Sequence, residues 1–183
     1  VDISNPVKKE KGVTRVLALD DATNITGWSI FDGKKLITYG KFQIDKENPI
    51  ERMSILKQWL LNMIIKWNPD KIGIEDIQLQ KFSGTGGVES FAVTTYKVLA
   101  QLQGVLLEAL FSQKKDCIIV HSATWKSFCG ITAKTRTDQK RSAQLKVKDW
   151  YGVNVTQDEA DAICMGKYLA EKYVKNNEMI SWG

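Results

Sequence analysis

The chain has 183 residues, of which 43% are hydrophobic; this is enough for one well-packed core and short for two domains. No apolar stretch approaches the roughly 20 residues that a membrane-spanning helix needs, and the N-terminal residues lack a secretory apolar region. Three cysteines without paired spacing and a single histidine argue against a disulfide framework and a zinc site, so we expect a reducing, cytoplasmic setting without membrane attachment.

The net charge of +5 is unevenly distributed along the chain. The segment 114–148 contains nine basic residues and two acids, so it carries +7 and the remainder of the chain carries −2. Such a segment suits an anionic partner such as DNA, because the phosphates must be attracted from solution. A solvated, lysine-rich helix face explains the same charge equally well. Charge alone therefore leaves both interpretations open.

The first part of the chain predicts an arm followed by strands. Residues 1–13 are expected to form a flexible N-terminal arm, and residues 14–183 a single domain. Apolar, β-branched-rich stretches separated by turn residues predict an antiparallel meander of three strands, at 14–20, 26–31 and 36–44. A helix then begins after Asn48 and continues to Trp67, because apolar residues recur there with helical spacing.

The second part predicts alternating strands and helices. In chain order these are a strand at 71–76, a glycine-rich loop at 83–87, a long helix at 89–111 and a strand at 117–121. Ser122 and Asp138 are candidate N-caps of two further helices, the second of which ends at Trp150, and residues 130–137 between them predict a mobile loop. The final helix begins with a capping box formed by Thr156 and Glu159.

Four acids occupy positions that are unusual for surface carboxylates. Asp20 and Glu75 end apolar stretches that predict buried strands. Asp158 and Asp161 lie one helical turn apart and share a face with apolar residues, although attraction to the helix dipole would also explain Asp158. Two carboxylates 4 Å apart repel by roughly 4 kcal/mol at an effective dielectric near 20, so converging acids need cations. Oxygen ligands of high charge suit Mg²⁺ or Mn²⁺, and a two-metal site of this kind hydrolyses phosphodiesters.

The order β-β-β-α-β-α-β-α, with acids on the first and fourth strands and the last helix, resembles the RuvC-type Holliday-junction resolvases of the ribonuclease H-like superfamily. The matching segments span most of the chain: Leu17-Ala18-Leu19-Asp20, Thr26-Gly27-Trp28, Ile74-Glu75, Thr124-Trp125-Lys126 and Asp158-Glu159-Ala160-Asp161-Ala162. The resemblance implies an α/β, ribonuclease H-like fold, in which a mixed five-stranded sheet of three antiparallel then two parallel strands is flanked by helices. The compact chain looks like the bacteriophage members of the family.

The resemblance further implies a structure-selective endonuclease that cleaves Holliday junctions and other branched DNA in recombination and repair. Its catalytic residues and ligands for two Mg²⁺ or Mn²⁺ ions would be Asp20, Glu75, Asp158 and Asp161. The basic segment and the glycine-rich loop supply the expected DNA contacts, which are Phe82, Lys126, Lys134, Arg136, Lys140 and Arg141. The chain departs from bacterial members at Asp21, where they usually have proline, and at Gln78, where they carry a stacking aromatic residue. Asp21 is then either an extra ligand or an inert turn residue.

The long helix predicted at 89–111 is apolar around much of its circumference, which requires either complete burial or a partner. A homodimer satisfies this requirement, and a two-fold enzyme suits a junction cut symmetrically on two strands.

Two other functions compete with the endonuclease. An actin-like ATPase or kinase also begins with an apolar strand, Asp and a Thr-Gly turn, but that fold needs two lobes, and this chain has room for one. A non-catalytic junction-binding protein would keep the fold without the chemistry, which the presence of all four acids argues against. His121 is more readily explained as a structural residue than as a general base, and Trp125 as a core residue than as a base-stacking one.

Overall fold

The computed structural model describes residues 5–22, 24–77 and 87–178, with side chains described throughout these ranges except at 87–92 and 173–178. Within these ranges five strands form one sheet: β1 (Arg15–Asp21), β2 (Ile25–Asp32), β3 (Lys35–Gln43), β4 (Lys71–Glu75) and β5 (Cys117–Val120). Five helices accompany them: α1 (Pro49–Trp67), α2 (Gly87–Ser112), α3 (Ser122–Phe128), α4 (Arg136–Tyr151) and α5 (Gln157–Glu178). Among the described residues, none of the helices has the length and apolar character that a membrane span requires.

The strand order in the sheet is β3-β2-β1-β4-β5. β1 pairs antiparallel with β2, and β2 pairs antiparallel with β3. β4 lies parallel to both β1 and β5. The predicted fold, a mixed sheet of three antiparallel then two parallel strands flanked by helices, is therefore confirmed.

Helices cover both faces of this sheet and create two hydrophobic clusters. The first cluster joins α1 and α2 to the face that carries Leu17 and Leu19. The second joins α3, α4 and α5 to the face that carries Val16 and Ala18. Successive side chains of a strand point to opposite faces, so the apolar run of β1 supplies both clusters at once.

The ends of the helices show which of the predicted caps are correct. α1 has the predicted bounds, because the Asn48 side chain accepts the Ile50 N–H at 2.9 Å and Asn68 ends the helix in a left-handed conformation with φ 42°. The caps predicted at Ser122 and Asp138 were wrong. His121, without a side-chain capping bond, precedes α3 in place of Ser122. Thr135 caps α4, and its hydroxyl oxygen accepts the backbone N–H of Asp138 at 3.1 Å.

The described part of the N-terminal arm, residues 5–13, is attached to the sheet through Arg15. The guanidinium of Arg15 is almost completely buried and donates to the backbone oxygens of Val7 and Trp67, both at 2.8 Å. It also donates to both carboxylate oxygens of Asp32 at 2.6 Å. These bonds join the arm to α1 and β2. The flexibility of the arm and the single-domain organisation stay predictions.

Candidate active site

The four predicted acids converge at one edge of the sheet. β1 and β4 are parallel neighbours with Leu19 opposite Ile74, so Asp20 and Glu75 follow as the next pair at the same edge. Their carboxyl groups lie within hydrogen-bonding reach of each other. Asp158 and Asp161 of α5 are close enough for their charges to act on Asp20. The structure therefore brings together all four residues that the sequence singled out.

Helix α5 packs close to β2 at this edge because the β2 residue that it contacts is a glycine, which has no side chain. Gly27 pairs with Asp20 across β1 and β2, and a Cβ built at Gly27 would lie only 2.6 Å from the carbonyl carbon of Asp158. Two residues along β2, the hydroxyl of Ser29 donates to the backbone oxygen of Ala162 at 2.7 Å. The first turns of α5 are thus placed directly over β2, beside the strand that carries Asp20.

The start of α5 is fixed by the predicted capping box, which is confirmed. The backbone N–H and the hydroxyl of Thr156 both donate to Glu159 Oε2 at 2.8 Å, and the Glu159 N–H donates to the Thr156 hydroxyl at 3.4 Å. The carboxylate of Glu159 is engaged in this cap, which leaves Asp158 and Asp161 as the acids of this turn that face the sheet.

Burial and mutual repulsion raise the pKa of two of the acids. The pKa of Asp20 lies well above its usual value, first because the carboxyl is buried and then because Glu75, Asp161 and Asp158 are close. Burial and the charge of Glu75 raise the pKa of Asp161 to about 6. Lys140 and Lys126 oppose this second shift, so the nearby ammonium groups partly compensate the acidic charge.

The donor chemistry of the cluster fits a hard divalent cation. Four carboxylates offer only oxygen ligands, which Mg²⁺ and Mn²⁺ prefer, and a cation would relieve the repulsion that raises the pKa of Asp20. Among the described side chains, no three His, Cys, Asp or Glu residues are close enough to form a preassembled ligand set.

Asp21 is distinct from these acids. It is the last residue of β1 and pairs with Thr26 of β2, so it is not a turn residue, and strand alternation directs its side chain to the face opposite that of Asp20. Its Oδ1 accepts a long hydrogen bond of 3.4 Å from the Thr26 hydroxyl, and its Oδ2 is buried without a hydrogen-bond partner. Burial raises the pKa of Asp21 to about 7.

The predicted DNA-contacting residues divide into two groups. Lys140 and Lys126 lie beside the acids: Lys140 Nζ is 3.9 Å from Asp158 Oδ1, and the charge of Lys126 acts on Asp161. The other described members of the basic segment are exposed: Lys134, Arg136 and Arg141.

Two details of these predictions change. Arg136 is the first residue of α4, so helix replaces the last part of the loop predicted at 130–137. Phe82 and Gln78 lie outside the described residues.

The sequence did not reveal two contacts beside the acids. Trp125 is a core residue as predicted, but its indole N–H also donates to Glu75 Oε1 at 2.8 Å. His121 follows β5 at the same edge of the sheet, and its Nδ1 lies 2.9 Å from Asp76 Oδ2. Both contacts join residues about 50 positions apart, so no local pattern in the sequence indicates them.

Comparisons with known proteins agree with this arrangement. No family model matches the chain. The crossover junction endodeoxyribonuclease RuvC of Akkermansia muciniphila is 34% identical over 160 residues, covering 83% of this chain and 87% of that protein. The RuvC of Magnetococcus marinus is 26% identical over 68 residues, covering 34% of this chain and 38% of that protein.

Solved structures show the same fold at low sequence identity. RuvC of Thermus thermophilus has a TM-score of 0.64 at 15% identity, covering 90% of this chain and 97% of the other. The same protein in complex with a Holliday junction substrate has a TM-score of 0.62 at 15% identity, covering 90% and 96%. The yeast mitochondrial Holliday junction resolvase Ydc2 has a TM-score of 0.56 at 14% identity, covering 95% and 84%.

The structural likenesses establish a ribonuclease H-like architecture, and the 34% identity over most of both chains establishes the relationship by descent. The resemblance inferred from the acids and the element order is therefore confirmed, and the chain belongs to the RuvC family of crossover junction endodeoxyribonucleases.

Proposed function

We propose that the protein is a structure-selective endonuclease that cleaves Holliday junctions and other branched DNA in recombination and repair. The observation that carries this proposal is the convergence of four carboxylates at one sheet edge, in a chain related to crossover junction endodeoxyribonucleases. One of the similar structures is a complex with a Holliday junction substrate. A non-catalytic junction-binding protein would have no need to keep mutually repelling acids at a buried edge.

The catalytic centre in this proposal consists of Asp20, Glu75, Asp158 and Asp161. Their carboxylates would hold two Mg²⁺ or Mn²⁺ ions, which would supply an activated water and stabilise the leaving oxygen during phosphodiester hydrolysis. The acids from β1 and β4 form a rigid side of the site, because both strands lie in the centre of the sheet. The acids from α5 complete the site from above the sheet.

The basic residues would guide the DNA backbone to these acids. Lys126 and Lys140 are placed to contact the phosphates next to the scissile bond, because both already interact with the acids of α5. Lys134, Arg136 and Arg141 would contact phosphates farther along the same strand, and Phe82 would stack at the junction. Phosphate contacts position the DNA, and the shape of the junction supplies the selectivity.

A homodimer completes the proposal. Leu102, Leu106 and Leu110 of α2 are buried in the first hydrophobic cluster, which explains part of the apolar character of this helix. Exposed apolar side chains remain, including Phe111 at 85% exposure and Val93 at 42%. An apolar groove also runs between α1 and α2, lined in part by Ile50, Met53, Val98 and Val105. A second copy covering this surface would present two sites to two strands of one junction.

We further propose that residues 14–183 form a single catalytic domain behind the arm, and that the protein works in the cytoplasm of a bacterial or phage-infected cell. The absence of paired cysteine spacing and the bacterial origin of both relatives support this location.

The test is a cleavage assay on a labelled four-way junction, with matched linear duplex as competitor. The protein should bind the junction more tightly than the duplex at the same salt concentration and should cut it only when Mg²⁺ or Mn²⁺ is added. Asp20→Asn should bind the junction and not cut it. Binding without cleavage under all metal conditions would indicate a junction-binding protein. Equal affinity for junction and duplex would replace the resolvase with a general ribonuclease H-like endonuclease.

A further inference from the structure

The indole of Trp125 connects the second hydrophobic cluster to the acids. Trp125 is 1% exposed and packs among residues of α3, α4, α5 and the sheet, so the ring has a fixed position. The indole N–H is a donor without an acceptor function, and a buried donor needs a partner. Its partner is Glu75 Oε1 at 2.8 Å. A rigid core residue thus holds one oxygen of a proposed metal ligand.

Glu75 is held at its backbone as well as at its side chain. Its carbonyl oxygen accepts a hydrogen bond from the Gln103 side chain at 3.2 Å, and the following residue, Asp76, donates its backbone N–H to Val120 at 2.9 Å. With the backbone fixed and Oε1 bound to the indole, Oε2 is the oxygen that remains for a cation. Without the indole, the Glu75 carboxylate would lose this bond and could take other rotamers.

We propose that Trp125 is a positioning residue for metal binding, which holds Glu75 in the orientation that a divalent cation requires. The inference rests on the proposed function, because it assumes that Glu75 is a metal ligand. Lys126 Nζ lies 5.2 Å from the centre of the Trp125 ring, and its charge acts on Asp161. The two consecutive residues of α3 therefore act on different acids of the same cluster, Trp125 by orientation and Lys126 by charge.

The first variant is Trp125→Phe, which removes the N–H donor and keeps an aromatic ring. Loss of a hydrogen bond that orients a metal ligand typically lowers metal affinity by 10–100-fold. We expect Mn²⁺ binding, followed by electron paramagnetic resonance on the DNA-free protein, to weaken by that factor. The metal concentration for half-maximal cleavage should rise in parallel, and the cleavage rate at saturating metal should change much less. Junction affinity without metal should stay within about threefold of wild type.

Trp150→Phe is the matched control. Trp150 packs against the same cluster and also has a lysine over its ring, Lys167 at 5.3 Å, but its ring neighbour is Tyr151 and not an acid. It should lose stability without losing Mn²⁺ affinity. Because Trp125→Phe leaves a space in the core, a second replacement at Trp125 uses 3-benzothienylalanine. This residue keeps the shape of the ring system and has sulfur in place of the N–H, so it should reproduce the loss of Mn²⁺ affinity at wild-type stability.

A third measurement detects the contact directly. The indole N–H resonance of Trp125, assigned by its disappearance in Trp125→Phe, should shift as Mg²⁺ is added to the wild-type protein, whereas that of Trp150 should not. When Glu75 is already replaced by glutamine, Trp125→Phe should cause no further loss of Mn²⁺ affinity, because Trp125 acts on metal binding through Glu75.

These experiments distinguish a failure of the Trp125 proposal from a failure of the proposed function. Wild-type Mn²⁺ affinity in both the phenylalanine and the benzothienyl proteins would overturn the positioning role. An equal loss of Mn²⁺ affinity in Trp150→Phe would also overturn it, since the effect would then be general core loosening. If the wild-type protein itself neither binds Mn²⁺ nor cleaves the junction, the proposed function fails, and this result is distinct from a failure of the Trp125 proposal.

Discussion

The close approach of α5 to Gly27 predicts that Gly27→Ala separates the two halves of the proposed catalytic centre. The added Cβ would clash with the carbonyl oxygen of Asp158 and would lie 2.6 Å from its carbonyl carbon, whereas ordinary contacts begin at 3.4 Å, so the backbones must separate by at least about 0.8 Å. Neither neighbour is a flexible side chain: one is the central region of the sheet, and the other is the backbone of a helix. The start of α5 must therefore move, and it carries Asp158 and Asp161 away from Asp20 and Glu75.

A displacement of about 1 Å in a catalytic constellation costs on the order of 100-fold in rate. We therefore expect Gly27→Ala to cut a four-way junction about 100-fold more slowly than wild type, to bind Mn²⁺ more weakly, and to retain junction affinity within a few-fold. Overpacking should also lower the free energy of unfolding by about 1–3 kcal/mol. The assays are single-turnover cleavage, Mn²⁺ titration and thermal melting.

Gly40→Ala is the matched control. Its added Cβ would lie 2.9 Å from the ring of Trp28 on the neighbouring strand, so the clash does not involve α5. It should lose comparable stability and keep its cleavage rate. If Gly27→Ala cuts within threefold of wild type, the close packing of α5 on β2 does not set the position of the acids, and our account of the site is incorrect.

Four further predictions follow from the site and its surroundings. Asp161→Asn should abolish cleavage while junction binding stays within a few-fold; retention of more than about a tenth of the wild-type rate would remove Asp161 from the catalytic centre. Glu159→Ala should lower the free energy of unfolding by about 0.5–2 kcal/mol through loss of the capping box and spare most of the activity; a stable but inactive variant would make Glu159 a ligand. Lys134→Ala and Arg136→Ala should each weaken junction binding and flatten the dependence of log K on log salt by about 0.9, and an unchanged slope would exclude a phosphate contact. The pKa of Asp161 is raised to about 6 and that of Asp20 lies well above its usual value, so the folded, metal-free protein binds protons more tightly than the unfolded chain; its melting temperature should fall as the pH rises from about 4 through about 6, and Mg²⁺ should reduce this decrease.

The fold was predictable because its signals are local. Asn48 and Pro49 start α1 by capping and by fixed backbone geometry, and the sequence predicted both ends of that helix correctly. The apolar runs located every strand to within about one residue. The error at α4 arose where two residues compete for one cap: Thr135 and Asp138 are three positions apart and bond to each other, so either fits the pattern.

The candidate site was predictable in part. The apolar runs marked Asp20 and Glu75 as acids at strand ends, and helical spacing joined Asp158 to Asp161, but the expectation that all four act together came from the resemblance to RuvC-type resolvases. The bond from Trp125 to Glu75 depends on how α3 packs against the sheet, and the buried, unpaired oxygen of Asp21 depends on what surrounds it. Neither is encoded in a short stretch of sequence, because each depends on residues that are distant along the chain.

The division of the acids between the sheet and α5 has a consequence for biosynthesis. A ribosome makes the strands that carry Asp20 and Glu75 well before it makes α5, so a nascent chain holds only half of the proposed ligand set until Asp161 has emerged. In the folded protein, the contacts of α5 with Gly27 and Ser29 bring the two halves together. A chain released prematurely before this helix would lack two of the four proposed metal ligands. With these acids in that proposed role, the order of the elements would keep partly made chains from cutting DNA.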